Sequence, residues 1–218
     1  MRVVVAYTYP NLRHETYNPM ARRFALQYTR FPPGGTDHNL YVIVNGGGDV
    51  TPWQRTLFEP LVPNFIHHSN IGRDIGGYQM ISQNVPCDFL VCVGSPVRPA
   101  CTGWLDILVH ALEDHGPGIY GLWAYHQPAV HIRTTCFAIC PQLLNLYPVQ
   151  VTDGYRYGFE HGPESITKWC FKKGFQVLQV TKRGVFPVEQ WHHVERVDSL
   201  MLDQFTDSFG WQDDGSGW

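Results

Sequence analysis

The sequence predicts an α/β fold in a single domain, with a mostly parallel central sheet and helices on both faces. Two features predict it. Short apolar runs rich in β-branched residues alternate with segments of helical spacing, and the runs are too apolar to belong to strands with one face in water. Turn-forming clusters separate them.

The run 3–6 (VVVA) makes a buried first strand, and YTYPNLRHETY after it reads as a loop over 7–17. Met20, Phe24, Ala25 and Tyr28 then recur near helical intervals, with Pro19 suited to a first turn. A second strand over 39–44 stops at Asn45 and a glycine run, a third covers 64–68, and a fourth covers 88–93. Trp104, Ile107, Leu108 and Leu112 give a helix over 103–115. Beyond it come strands over 118–125 and 131–140, short helices over 141–146 and 163–173, and a last strand over 175–180. No internal repeat is visible. The domain is expected to span 1–186, and the stretch 187–218, which ends polar, glycine-rich and acidic, to form a partly flexible extension.

Composition narrows the function. A chain of 218 residues that is 44% hydrophobic can bury one sizeable core. With 16 Lys and Arg against 19 Asp and Glu, and no basic run, it lacks the clustered cations that a dedicated nucleic-acid binder needs. No stretch approaches the roughly 18 to 20 apolar residues of a membrane helix, and the start runs into a strand instead of a signal peptide. A cytoplasmic location is expected. The six cysteines include no C-x-x-C pair and are expected to be buried free thiols. Adjacent histidines (His67 with His68, His192 with His193) point to opposite faces of a strand, so no metal site is read from them.

The most informative segment is Asn70-Ile71-Gly72-Arg73-Asp74-Ile75-Gly76-Gly77-Tyr78, which sets a cation and a carboxylate among glycines at a strand-to-helix junction. Gly76 and its neighbours would let a ligand approach the backbone, and a helix start offers unpaired N–H groups to phosphate. Arg73 can grip a diphosphate, and Asp74 can accept hydrogen bonds from a base or ribose. A turn with a local Arg–Asp pair fits the same residues.

This segment, SNIGRDIGGYQ, resembles the N-x-G-R-D-I segment of the rhamnan synthesis protein F family and related GT-A-type glycosyltransferases. VVVAYTYP, YVIVNGG, NIGRDIGG and DFLVCVGSP follow in the order of a GT-A fold, so the resemblance covers roughly residues 1–180. It implies a GT-A-like, nucleotide-sugar-using domain with a UDP- or dTDP-linked donor and a carbohydrate acceptor. On this resemblance the donor side comprises Tyr7, Thr8, Asn45, Asn70, Arg73, Asp74, Gly76, Ser95 and Arg98, with Tyr7 either a ring that stacks on the base or core, and Asn45 equally suited to a turn before the glycines. At the end of the central strand such enzymes carry Asp-x-Asp for a divalent metal, but this chain reads Val93-Gly94-Ser95-Pro96-Val97-Arg98. Mg²⁺ or Mn²⁺ would find few hard oxygen ligands there, so weak or no metal dependence is expected, with no tightly bound cofactor.

A second similar segment is Gly158-Phe159-Glu160-His161-Gly162-Pro163-Glu164-Ser165, followed by a helix, a glycine and a strand. The resemblance makes an acid there the base that takes the acceptor's proton in inverting enzymes, Glu160 first and Glu164 second. Glu164 equally suits a helix start. His131, Arg133 and His161 are placed on the acceptor side, and Trp104, Trp123 and Trp169 are either sugar platforms or core. Three functions follow: a glycosyltransferase, a non-catalytic nucleotide-sugar- or glycan-binding module on the same scaffold, and a nucleotidyltransferase. The third is disfavoured by the missing metal carboxylates and the absence of a G-x-x-x-x-G-K-[ST] loop. Nothing in the sequence indicates an oligomeric state.

Overall fold

The computed structural model describes residues 1–12 and 14–204. In chain order the strands are β1 (Val3–Pro10), β2 (His38–Asn45), β3 (Asn64–His68), β4 (Phe89–Val93), β5 (Arg98–Pro99), β6 (Gly118–Gly121), β7 (Ala124–Tyr125), β8 (His131–Ile132), β9 (Cys136–Ile139), β10 (Gln176–Thr181), β11 (Gly184–Pro187) and β12 (Met201–Leu202). The helices are α1 (His14–Arg30), α2 (Pro52–Phe58), α3 (Arg73–Asn84), α4 (Trp104–His115), α5 (Pro141–Leu146), α6 (Arg156–His161) and α7 (Ile166–Lys172).

Eight strands form one sheet in the order β11-β10-β6-β9-β4-β1-β2-β3, and β5 with β12 and β7 with β8 form two small ribbons. β1 runs parallel to β2 and β4, β2 to β3, and β6 to β10. β9 is antiparallel to both β4 and β6, and β11 to β10. The reversal of β9 pairs its first residue, Cys136, with Val93, the last of β4. The chain before β9 therefore meets the carboxyl ends of the parallel strands, where ligands collect in open α/β sheets.

Alternation along β1 divides the core. Val3, Val5, Tyr7 and Tyr9 pack with Phe24 and Tyr28 of α1, Phe58 of α2, and Trp104 and Leu108 of α4. Val4 and Ala6 pack with Ile75, Tyr78 and Ile81 of α3, Leu143 of α5, Phe159 of α6 and Trp169 of α7. A fully buried large apolar side chain contributes about 1.5–3 kcal/mol, whereas water and salt screen an exposed ion pair such as Arg2–Asp88, at 2.9 Å. Packing on two faces holds the sheet.

Several elements depart from the sequence expectation. β1 continues to Pro10, so Tyr7 and Thr8 are strand residues and not a loop. α1 starts at His14, which puts Pro19 inside the helix. The strands expected over 118–125 and 131–140 each split between the main sheet and the β7–β8 ribbon. α2 and α6 are additional, and α7 begins three residues later than expected. Position 187 is no structural break, because Trp191, Leu200, Met201 and Asp203 are buried and β12 pairs with β5. The rest of the expected extension, 205–218, lies outside the described residues. All six cysteines are free, five of them buried and Cys101 partly exposed. Among the described residues no helix is long and apolar enough to cross a membrane.

Candidate active site

A cavity of about 760 Å³ opens beyond the carboxyl ends of β1, β2 and β4. Its wall takes Thr8, Asn45 and Ser95 from the strand ends, Asn70, Arg73 and Asp74 from the start of α3, Arg133 and Thr135 from before β9, and Asp153, Arg156 and Glu160 from in and around α6.

The α3 end is built around glycine. Gly72 has φ +70°, and a Cβ on it would lie 2.3 Å from the carbonyl oxygen of Val151. Its N–H donates to Oδ1 of Asp153 at 2.9 Å, which ties the start of α3 to the chain before α6. Asn70 and Arg73 also have positive φ, 75° and 52°. Asparagine tolerates this region, but for arginine it costs roughly 1–2 kcal/mol, and such strain clusters at ligand sites. The exposed Arg73 side chain lines the cavity beside Asp74. Oδ1 of Asp74 is buried without a hydrogen-bond partner. Arg156 Nε stands 3.7 Å from it, too far to donate. Burial pushes the Asp74 carboxyl pKa up, against the opposing pull of Arg156 and of backbone N–H groups in its own helix. A buried acceptor with no donor is costly and marks a place for a ligand hydroxyl or N–H.

Glu160, on α6, lies on the same wall system. Its Oε2 accepts from the Thr134 N–H at 2.8 Å and from the Thr134 hydroxyl. Its Oε1 is 3.0 Å from His161 Nε2 and 4.0 Å from His131 Nε2. His131 Nδ1 sits 2.7 Å from the carbonyl of Ala129, and burial lowers the His131 pKa.

The structure brings Thr8, Asn45, Asn70, Arg73, Asp74, Ser95, Arg133 and Glu160 to one cavity. His131 and His161 stand behind Glu160, with ring centroids 4.3 Å apart. Arg133 is engaged by Asp203 at 2.5 Å. Four expectations are corrected. Tyr7 is fully buried, stacked on Phe24 at 3.9 Å, so its ring cannot meet a base. Gly76 is a packing glycine, since a Cβ there would fall 1.9 Å from the Ile71 carbonyl oxygen. Arg98 lies on β5, buried against β12 and off the cavity wall. Glu164 is an exposed residue paired with Lys172 at 2.6 Å. Trp104, Trp123 and Trp169 are core. Sequence reasoning missed Thr134, Asp153 and Arg156. Asp153, Arg156 and Glu160 are spaced three and four apart, the signature of one helical face.

A divalent cation of the Mg²⁺ or Mn²⁺ kind does not fit the end of β4. The stretch 94–98 holds no carboxylate. The Ser95 hydroxyl donates to the Thr8 carbonyl at 3.0 Å, and the Ser95 carbonyl accepts from the Tyr7 hydroxyl at 3.0 Å. Among the described residues, one group of potential ligands converges: His131, Glu160 and His161, with an atom from each within 4.8 Å of the others.

No protein-family model matches the sequence, and no curated protein matches it. Solved structures match by fold. The mannosyltransferase PcManGT from Pyrobaculum calidifontis, in complex with GDP-Man and Mn²⁺, superposes with a TM-score of 0.51 at 14% identity, over 71% of this chain and 50% of its own. TarS from S. aureus gives 0.50 at 10% identity, over 68% of this chain and 30% of its own. A Bacillus anthracis protein assigned as a glucose-1-phosphate thymidylyltransferase, in complex with a sucrose, gives 0.52 at 10% identity, over 79% and 84%. The chain thus has a GT-A-like fold, and it spans half of the mannosyltransferase and under a third of TarS.

Proposed function

We propose that this protein transfers a sugar from a nucleoside-diphosphate sugar to a hydroxyl of a saccharide or other acceptor, with inversion. One observation carries the reading: the strained Arg73, the orphaned Asp74 oxygen and the anchored Glu160 carboxylate all line one cavity. The fold alone does not decide, because transferases and a nucleotidyltransferase share it.

In this mechanism Asp74 and Asn45 hold ribose or base, and Arg73 and Arg156 face the diphosphate. Glu160 takes the acceptor's proton through Oε1, since Oε2 is held by Thr134. The acceptor oxygen bonds to the anomeric carbon as the bond to the diphosphate breaks, and the leaving charge falls to the arginines and the N–H groups at the start of α3. UDP- or dTDP-linked donors, weak dependence on Mg²⁺ or Mn²⁺, and a place in polysaccharide assembly complete the proposal. The free cysteines suit a reducing compartment such as the cytoplasm.

A melting-temperature screen against nucleoside diphosphates and their sugars, with and without Mn²⁺, tests donor binding, because a ligand of the folded state raises the midpoint. A shift with UDP- or dTDP-sugars, followed by transfer to a saccharide, is the expected result. The carboxylate-free end of β4 favours one other reading, a binding module. Donor binding with neither hydrolysis nor transfer across a wide acceptor set would select it.

A further inference from the structure

Behind the wall of the cavity, three side chains converge in a way that proton abstraction by Glu160 does not require. His161 Nε2 and His131 Nε2 stand 3.0 and 4.0 Å from the same oxygen, Oε1 of Glu160. The three residues come from two places, His131 from the β7–β8 ribbon and the adjacent Glu160 and His161 from the end of α6.

The surroundings are those of a ligand set. Oε2 of Glu160 is fixed by two donors of Thr134, which orients the carboxylate and leaves Oε1 to the imidazoles. His131 Nδ1 lies 2.7 Å from the Ala129 carbonyl, so its N–H belongs there and the Nε2 lone pair is directed elsewhere. Outer hydrogen bonds of this kind, carbonyl to histidine and donor to carboxylate, orient metal ligands. Bond lengths of about 2.0–2.2 Å place ligand atoms roughly 3.3 Å apart around a tetrahedral zinc. The observed 3.0 and 4.0 Å are close to that spacing. Two imidazoles and one carboxylate suit zinc and its neighbours rather than Mg²⁺ or Ca²⁺. Glu160 lines the cavity, which gives a cation a way in.

We propose that His131, Glu160 and His161 form a binding site for a zinc-class divalent cation, and that filling it withdraws Glu160 from proton transfer, so that the cation inhibits the reaction. The binding half stands on the three residues alone. The inhibition half rests on Glu160 being the base.

The test titrates the full chain with Zn²⁺ by calorimetry and with Co²⁺ by visible absorption. One equivalent is expected to bind, with the intense bands of a low-coordinate cobalt site. Glu160→Gln and His161→Ala should each lose more affinity than the roughly 10- to 100-fold that outer-sphere partners control. A His192→Ala/His193→Ala double variant should bind as the parent does. Circular dichroism checks that each variant folds, and His161→Gln replaces His161→Ala if the latter does not. The absence of a saturable site, or unchanged affinity in the folded His161 variant, overturns the proposal. Transfer measured with and without Zn²⁺ addresses the second half, a fall of more than tenfold that a chelator reverses being the expectation. Zinc bound at the cluster with transfer undiminished would remove Glu160 as base and leave the site standing. If no transfer is found under any condition, the titrations still decide the binding.

Discussion

The backbone N–H and the hydroxyl of Thr134 both donate to one oxygen of Glu160, while the other oxygen faces His161. The base proposed for transfer is thus aimed by a residue 26 positions away in the chain.

Glu160→Gln should keep donor affinity and lower kcat by about 10²- to 10⁴-fold, the usual contribution of a positioned base. Thr134→Val removes the hydroxyl donor but keeps the N–H, so a smaller fall in kcat is expected, with KM for the donor unchanged. Steady-state kinetics on both variants check this.

Asp74→Ala and Arg73→Ala should each weaken donor binding. A charge-assisted hydrogen bond is worth about 1.5–3 kcal/mol, roughly a 10- to 150-fold rise in Kd. Calorimetry with a nucleoside diphosphate measures it, and affinity equal to the parent's in both variants would contradict the placement of the donor. Tyr7→Phe serves as the contrast. It loses the bond to the Ser95 carbonyl and about 1 kcal/mol of stability, with donor affinity unaltered.

Gly76→Ala places a methyl group 1.9 Å from the Ile71 carbonyl oxygen and 3.0 Å from the His68 ring. Overpacking of this kind costs about 1–3 kcal/mol. Chemical denaturation should show that loss whether or not a donor is present.

Asp106 links α4 to the loop between α1 and β2. It accepts from the Thr36 hydroxyl at 2.5 Å and from the N–H groups of Thr36 and Gly35, both at 2.9 Å. The Thr36 hydroxyl, followed by the two backbone donors, lowers its pKa. A carboxyl depressed in the folded state adds stability above its unfolded pKa and loses it as pH falls through the folded value. Asp106→Asn should therefore be less stable than the parent by about 1 kcal/mol at pH 7, with the gap closing as pH falls below about 4. Urea midpoints from pH 7 to pH 3 follow it, and a gap that widens on acidification would contradict the assignment.

Much of the frame could be read from residue order. The apolar run at 3–6 and the spacing of Trp104, Leu108 and Leu112 mark buried strand and helix through their period, a local property. Tyr7 to Pro10 could not be read, because aromatics and proline imitate a loop until Phe24 supplies the ring that Tyr7 stacks on. α2 has a local start signal, a capping box of Thr51 and Gln54 that encloses Pro52. In the site, Arg73, Asp74 and Glu160 stood out through their glycine setting. Thr134 holding Glu160 depends on tertiary closure and leaves no local trace, and the helical spacing that ties Arg156 to Glu160 does not reveal its approach to Asp74.

His131 sits on the two-stranded β7–β8 ribbon, which shares no strand pairing with the eight-stranded sheet. Ala124 and Ile132 of the ribbon pack in the core with Val4 and Ala6, but insertions in the exposed turn 126–128 between its strands would leave the registers of β1, β2 and β4 intact. Descendants of such a chain would be free to diversify the exposed turn near Glu160 while inheriting the Arg73–Asp74 corner unaltered, so sequence drift between lineages should concentrate in residues 126–128 and spare the buried Trp123 and Ile132.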